Sequence, residues 1–272
     1  MTHLSIFFFG SSQYSVIVLK QLLKTDHNLQ VITTSTPVKQ FCQKNTITLL
    51  PAGRRVRLLS VDLIISADYG HKIPQSLLKQ AKIGSLNLHP SLLPKYRGAT
   101  PVPHALLAGD KTTGITLIAM TNKIDQGPIL AQQTIPISPQ DNAETLLKKC
   151  FSKGAQLLIK ILPKYIEHKI TPKPQPAKSP TAYARRFTKQ DGHISWPNFK
   201  SALSTNGEKT YNQVRALYPW PGVYTTLPNN KTLKIISAKL DGNKLLPTSV
   251  QLPGKNPISW QAFLAGYQHL LQ

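Results

Sequence analysis

Asn87 and His89 are the residues in this chain whose types and spacing first suggest chemistry. They lie in the stretch from Gly84 to Gly98, where Leu86 and Leu88 alternate with Ser85, Asn87 and His89. Side chains of a strand alternate faces, so an amide donor and a titratable imidazole emerge together while the leucines enter a core. Pro90 ends such a strand, because it cannot donate to a ladder and fixes its own φ. Taken alone, the pair reads first as a satisfied polar patch at a strand end. The loop behind it, Ser91-Leu92-Leu93-Pro94-Lys95-Tyr96-Arg97-Gly98, changes the balance. It offers an apolar wall for a planar ligand and two cations at its far end. Ligands of open α/β sheets bind where strands run out into such loops.

The surrounding elements fit that placement. Ile6 to Phe9 is a continuous apolar run ending at Gly10, as in a strand buried on both faces. Val16 to Leu23 has the pattern of a helix with Ser15 as its cap, and Leu29 to Thr34 that of a second strand. This β-α-β opening predicts a parallel, Rossmann-like sheet, although the turn lacks the GxGxxG of a dinucleotide site. Pro37 to Ser60 carries no assignable pattern. Val61 to Ala67 reads as a strand, and Pro74 suits the first turn of a helix reaching about Lys82. Thr116–Met120 and Ile129–Ile137 are further strands around a loop with Ile124-Asp125-Gln126-Gly127. Asp125 by itself is ordinary turn chemistry. Asp141 and Glu144 suggest a capping box, followed by a helix with an apolar stripe from Leu146 to Leu162, broken near Gly154 and bent at Pro163. Prolines from His168 to Ala182 read as a linker. Beyond about Gly192, Val223–Leu227 and Thr232–Ala238 about Asn229-Asn230 suggest a hairpin of a small β-barrel. The expected domains are 1–170, a linker over 171–191, and 192–272.

Composition bounds the partners. The 272 residues carry a formal net charge of +22. Up to position 175 there are 21 basic and 8 acidic residues, a net +13, and after it 12 and 3, a net +9. Positive charge spread over both halves favours a polyanion such as nucleic acid, or an anionic membrane. Cys42 and Cys150 have no CxxC spacing, so neither a disulfide framework nor a zinc site is indicated, and no histidine pair has metal-ligand spacing. No apolar run approaches the roughly 20 residues of a membrane span, and the start of the chain is a poor signal peptide. A soluble protein of the reducing cytoplasm is expected, without an obligate protein partner.

Asn87-x-His89-Pro-Ser-Leu-Leu-Pro-Lys-Tyr-Arg-Gly98, with Ile124-Asp125-x-Gly127 36 residues beyond His89, resembles the folate-dependent formyltransferases. Arg97-Gly98-Ala99-Thr100-Pro101 and Arg215-Ala216-Leu217-Tyr218-Pro219-Trp220-Pro221-Gly222 are similar to the members that act on methionyl-tRNA. The resemblance implies a Rossmann-like catalytic domain followed by a barrel resembling an OB fold. It implies transfer of the formyl group of 10-formyltetrahydrofolate to the amine of methionyl-initiator tRNA, with no metal. The catalytic residues carry over to Asn87, His89 and Asp125, which lifts Asp125 out of turn chemistry. The folate contacts carry over to Ser91, Leu92, Leu93 and Pro94, with Tyr69 and Gly70 beside them. Lys95 and Arg97 are the candidates for the tRNA acceptor end, and Arg215 and Lys234 for its stem. Two departures stand out. The loop after the second strand is shortened, leaving Arg54 and Arg55 as candidate replacements, and Asp68 occupies a position that is commonly small and apolar. A formyltransferase for a small amine, a formyl-folate hydrolase and a basic RNA-binding protein without catalysis are the alternatives.

Overall fold

The computed structural model describes residues 3–50 and 61–270. The chain divides into two compact units, one of Met1–Pro101, Thr112–Pro136 and Leu147–Ala184, the other of Val102–Lys111, Ile137–Leu146 and Arg185–Gln272.

The first unit is built on a seven-stranded sheet. Its strands are β1 (Ser5–Phe9), β2 (Asn28–Ile32), β3 (Thr48–Leu50), β4 (Leu63–Ala67), β5 (Gly84–His89), β6 (Thr112–Ala119) and β7 (Ile129–Pro136). They lie in the order β3-β2-β1-β4-β5-β6-β7. The ladders from β3 to β5 are parallel; β6 and β7 join antiparallel. This is the Rossmann-like sheet expected. Central strands are apolar on both faces, which is what burial under two layers requires. On one face Phe7, Phe9, Ile32 and Ile64 pack with Ile73, Leu77 and Leu78.

Helix α1 (Gln13–Leu22) begins three residues before its apolar run. Its cap is Ser12, whose hydroxyl accepts from the amides of Tyr14 and Ser15, and not Ser15 as expected. Ser15 is instead buried, and its hydroxyl donates to the Ala67 carbonyl at 2.7 Å, tying the helix start to the end of β4. The stretch without a sequence pattern holds α2 (Thr36–Lys44), with Pro37 in its first turn, and β3. After β4 comes only one turn, α3 (Gln75–Leu78), short of the helix expected to Lys82. Helix α4 is Pro101–Leu107 and α5 is Ala143–Ile166.

Helix α5 runs unbroken through Gly154 and Pro163, against the expected break at Gly154. Gly154 is there because the helix lies close to the sheet: a Cβ would meet Ile115 Cγ1 at 2.8 Å and Leu88 Cδ2 at 3.0 Å. Pro163 has no N–H to donate and so costs one i→i−4 bond, but only three residues of the helix follow it. The capping pair is also displaced. Asn142 and Thr145 exchange side chain to backbone bonds, 2.9 and 3.0 Å, while the Asp141 carboxylate accepts from the Ser138 amide at 2.8 Å.

The second unit contains β8 (His193–Ile194), α6 (Trp196–Ser204), α7 (Gly207–Ala216), β9 (Val223–Thr226), β10 (Thr232–Asp241), β11 (Lys244–Gln251), β12 (Ile258–Ser259) and α8 (Trp260–Tyr267). Its sheet order is β12-β11-β10-β9-β8, with the expected hairpin turning at Asn230, whose φ is 61°. Barrel closure needs a ladder from β12 to β8, and none joins them among the described residues. Helices α6 and α8 supply an aromatic part of this unit's core: Phe199 and Phe263 are buried, with Trp260 between them in ring contact with both. No helix among the described residues is long and apolar enough to cross a membrane.

Candidate active site

Strand β5 delivers the central pair. It is parallel to β4, with Ala67 opposite Leu88, and antiparallel to β6, with Thr116 opposite His89. Leu86 and Leu88 are buried as expected. The Asn87 side chain is partly exposed and has no hydrogen-bond partner among the described residues, so its amide protons are available to a ligand.

His89 is buried, and both ring nitrogens face acceptors. Nε2 lies 3.0 Å from the Tyr96 carbonyl, and Nδ1 lies 3.4 Å from Asp125 Oδ1. The other carboxylate oxygen, Oδ2, accepts from the Gly98 amide at 2.9 Å. A closed ring results: His89, Asp125, Gly98 and, through the chain, Tyr96 back to His89. With acceptors at both nitrogens, the imidazole donates to one of them or to both according to the protons it carries. The side chains of His89 and Asp125 are 4% and 9% exposed, so the pair works in a medium far less polar than water.

Asp125 reaches this ring by a long return. Ala119 pairs with Leu86, and Met120 donates to Ser85, so β6 leaves the sheet beside the start of β5. The 121–128 loop must then double back by about three strand residues, roughly 10 Å, to meet His89. Among the described residues no ladder supports that tip, and Asp125 adopts a left-handed φ of 55°.

The 90–98 loop is held from below by residues the sequence did not single out. Thr116 Oγ1 donates to the Ser91 carbonyl at 2.6 Å and accepts from the Leu93 amide at 3.1 Å. Gln132 Nε2 donates to the Leu93 carbonyl and to Thr116 Oγ1, at 2.8 and 3.0 Å. Register alone put Thr116 beneath the loop, and no local pattern reveals register. Of the expected folate contacts, Ser91 and Leu93 face inward, and the Ser91 hydroxyl is engaged with the Lys95 carbonyl at 2.7 Å. Leu92 and Pro94 keep accessible surface. Tyr69 and Gly70 follow β4 at the same end of the sheet, with the Tyr69 ring edge against Phe9 at 5.2 Å.

The cations sort differently from expectation. Arg97 is buried, and its guanidinium donates to Gln175 Oε1, the Ala177 carbonyl and the Pro176 carbonyl at 2.7–3.1 Å. It pins the chain that read as a linker and does not present a charge to a polyanion. Lys95 is exposed. Arg54 and Arg55 lie outside the described residues. In the second unit Arg215 is likewise spent, donating to the Ser138 and Asp141 carbonyls at 3.2 Å and to Asn212 at 2.8 Å. Lys234 lines a cavity of about 240 Å³ with Tyr218 and Pro219.

Asp68 sits at the end of β4 with a left-handed φ of 50°. Burial pushes its carboxyl above the usual carboxylate range, and a hydrogen bond from the Ser12 side chain opposes that shift. Cys42 and Cys150 are buried, and burial pushes the Cys42 thiol up to about 11, which keeps it from being a nucleophile. Among the described residues no group of three His, Cys, Asp or Glu is placed to hold a metal ion.

Comparison with known proteins agrees with this geometry. Residues 11–162 match the family model of formyl transferases, and residues 186–245 that of the formyl transferase C-terminal domain. A methionyl-tRNA formyltransferase of Enterococcus faecalis is 35% identical over 242 residues, covering 81% of this chain and 75% of its own. One from Listeria monocytogenes serotype 4a is 33% identical over 306 residues, covering 96% and 95%. That alignment is longer than the 272 residues of this chain, so the Listeria protein carries segments absent here. The N-formyltransferase of Helicobacter canadensis, solved with folinic acid and dTDP-3-aminofucose, superposes with a TM-score of 0.70 at 21% identity, covering 92% and 95%. HypX of Aquifex aeolicus, solved with tetrahydrofolic acid, gives 0.66 at 16%, covering 98% and 47%. At those identities the two structures speak for the fold alone. With both halves of the family matched in order, and a third of its residues shared with curated members over nearly their full length, this chain belongs to the formyl transferases.

Proposed function

We propose that this enzyme transfers the formyl group of 10-formyltetrahydrofolate to the α-amine of methionyl-initiator tRNA. The observation that carries the reading is the unpartnered Asn87 amide beside a buried His89–Asp125 pair, in a chain whose curated relatives are methionyl-tRNA formyltransferases. Leu92 and Pro94, which keep accessible surface in the loop that follows β5, are the apolar groups offered to the planar folate ring. The folate supplies an activated formyl group. Attack by the amine forms the new C–N bond, and the bond from the formyl carbon to the folate nitrogen breaks.

Asn87 donates to the oxygen on which negative charge gathers. Loss of one such donor typically costs about 100- to 1,000-fold in rate. His89 has its Nε2 engaged with the Tyr96 carbonyl, so it acts beside that oxygen by orienting Asp125 through Nδ1. A carboxylate has about four lone-pair sites, and Asp125 uses two in the ring. A third, directly or through water, takes the proton that the attacking amine loses, and that proton leaves on the folate nitrogen.

The basic charge beyond position 175 gives tRNA affinity by counterion release without reading bases. Lys95, exposed beside the site, is the proposed contact for the acceptor end, and the C-terminal unit holds the stem. Labelled formyl transfer to methionyl-initiator tRNA, with free methionine and water as competing acceptors, tests the reading. Product on tRNA that vanishes in His89→Ala is expected. Folate turnover that never labels tRNA overturns it.

A further inference from the structure

We infer that Gln175 is a positioning residue for the His89–Asp125 pair, acting through the loop that carries Asp125. The inference rests on the proposed formyl transfer for its kinetic arm only.

The tip of the 121–128 loop has no ladder of its own. What reaches it is the segment that read as a linker. Gln175 Nε2 donates to the carbonyl of Asp125 itself at 3.0 Å and to that of Gly127 at 2.7 Å. Its Oε1 accepts from Nε and one terminal nitrogen of Arg97, at 3.1 and 2.9 Å. One half-buried amide therefore joins the loop bearing Asp125 to the loop bearing Tyr96 and Gly98, the two halves of the ring around His89. The segment is anchored on both sides. Lys173 and Ile129 exchange backbone bonds of 2.8 Å, and Ala184 exchanges bonds with Arg97, Ala99 and Thr100. Thr181 Oγ1 accepts from the Tyr96 amide at 2.7 Å, and the Ser179 hydroxyl donates to the Pro94 carbonyl at 2.7 Å. Gly127 allows no slack, since a Cβ there would run into the Ala119 carbonyl.

The amide of Gln175 needs both its ends. Its oxygen faces a cation and its nitrogen faces two carbonyls, a pairing that glutamate cannot reproduce. Gln175→Glu keeps the acceptor for Arg97 but sets a carboxylate against the carbonyls of Asp125 and Gly127. A residue that merely anchors Arg97 tolerates that change; one that positions Asp125 does not.

The experiment compares native enzyme, Gln175→Glu and Gln175→Ala in formyl transfer and by 15N NMR of the His89 ring at pH 7. Both variants are expected to lose about 10- to 100-fold in kcat, the scale set by a misplacement near 1 Å. KM for tRNA and for the folate stays near native, because the lost contact serves the transition state. The His89 Nδ1 resonance moves in both variants. Native kcat in Gln175→Glu overturns the inference, even if Gln175→Ala is slow. So does a loss of kcat with an unmoved His89 resonance. If the native enzyme transfers no formyl group, the function reading fails, while the resonance still reports whether Gln175 governs the pair.

Discussion

Replacing Asp125 with asparagine tests the ring at its most informative point. The substitution keeps the shape and exchanges one acceptor for a donor. Two contacts are at stake, the 2.9 Å bond from the Gly98 amide and the 3.4 Å contact with His89 Nδ1. If the asparagine oxygen serves Gly98, its NH2 faces Nδ1 and can only donate to it. His89 must then be neutral, with its proton on Nε2 toward Tyr96. The Gly98 bond falls from a charge-assisted to a neutral one, a loss of about 1 kcal/mol, so the fold survives. In the proposed mechanism the reaction loses the carboxylate that takes the proton of the attacking amine. General acid–base groups contribute about 100- to 10,000-fold, and the kcat of Asp125→Asn is expected to fall within that range. Single-turnover formyl transfer measures the rate, and 15N NMR of His89 reports which nitrogen is protonated. A rate within about threefold of native, or a His89 ring whose 15N resonances are unchanged from native, refutes the reasoning, because no group of this proposed weight contributes so little.

Three further outcomes are expected. Gly154→Ala gains about 1 kcal/mol of helix propensity but drives a methyl into Ile115 and Leu88 beneath the active strand, at about 1–3 kcal/mol. The net is a loss of up to about 2 kcal/mol, at about 2–4 °C in Tm for each; a raised Tm sinks the close-packing account. Asp62 is held below the usual carboxylate range first by the Ser5 amide, 2.9 Å away, while its partner Lys82 is largely exposed. Its contribution is therefore present above the ordinary Asp pKa of about 3.9 and lost as pH falls through the lower folded value. Asp62→Ala is expected to cost about 1 kcal/mol in denaturant melts at pH 7 and progressively less toward pH 2. Asp68 carries the opposite sign, since its raised folded value penalises the carboxylate at neutral pH. Asp68→Asn, which tolerates the same left-handed φ, is expected to raise Tm at pH 7, and that gain disappears below pH 3; a gain that persists in acid contradicts burial as the cause.

The strand that carries Asn87 and His89 was legible because its signal is local. Alternation placed Asn87 and His89 on one face, and Pro90 marked the strand end. The buried strands of the first sheet were legible for the same reason, as short apolar runs. What escaped was everything set by distant partners. Ser12 caps α1 although the apolar run starts later, because the first helical turn, Gln13-Tyr14-Ser15, is half polar. Gly154 looked like a breaker, and its value lies in the approach of α5 to Leu88. Arg97 looked like a free cation beside a site, and only the fold shows four hydrogen bonds drawing it toward residues 175–177. A proline-rich, lysine-rich stretch has the composition of a linker, yet its prolines also suit a chain whose carbonyls are needed more than its amides.

That last point bears on how such a site is built. The proposed transfer needs no covalent intermediate with the protein, so the protein's task in it is to hold charge and donors still. Ladders fix Asn87 and His89, but a ladder cannot fix Asp125, because β6 leaves the sheet at the wrong end of β5. The fold meets this with side-chain amides and hydroxyls: Thr116 and Gln132 under one loop, Gln175 across both. Each bonds to main-chain groups, so each fixes backbone position whatever side chains the loops carry. Precision at the dyad should therefore be lost by removing any of these polar struts, while apolar changes in the same loops act mainly on folate binding. A Thr116→Val variant separates the two: it keeps the volume and removes a 2.6 Å bond to Ser91 and a 3.1 Å bond from Leu93. A fall in kcat with the KM for folate near native is the expected result. A rise in KM alone means that the loop serves binding, and that the struts do not reach the chemistry.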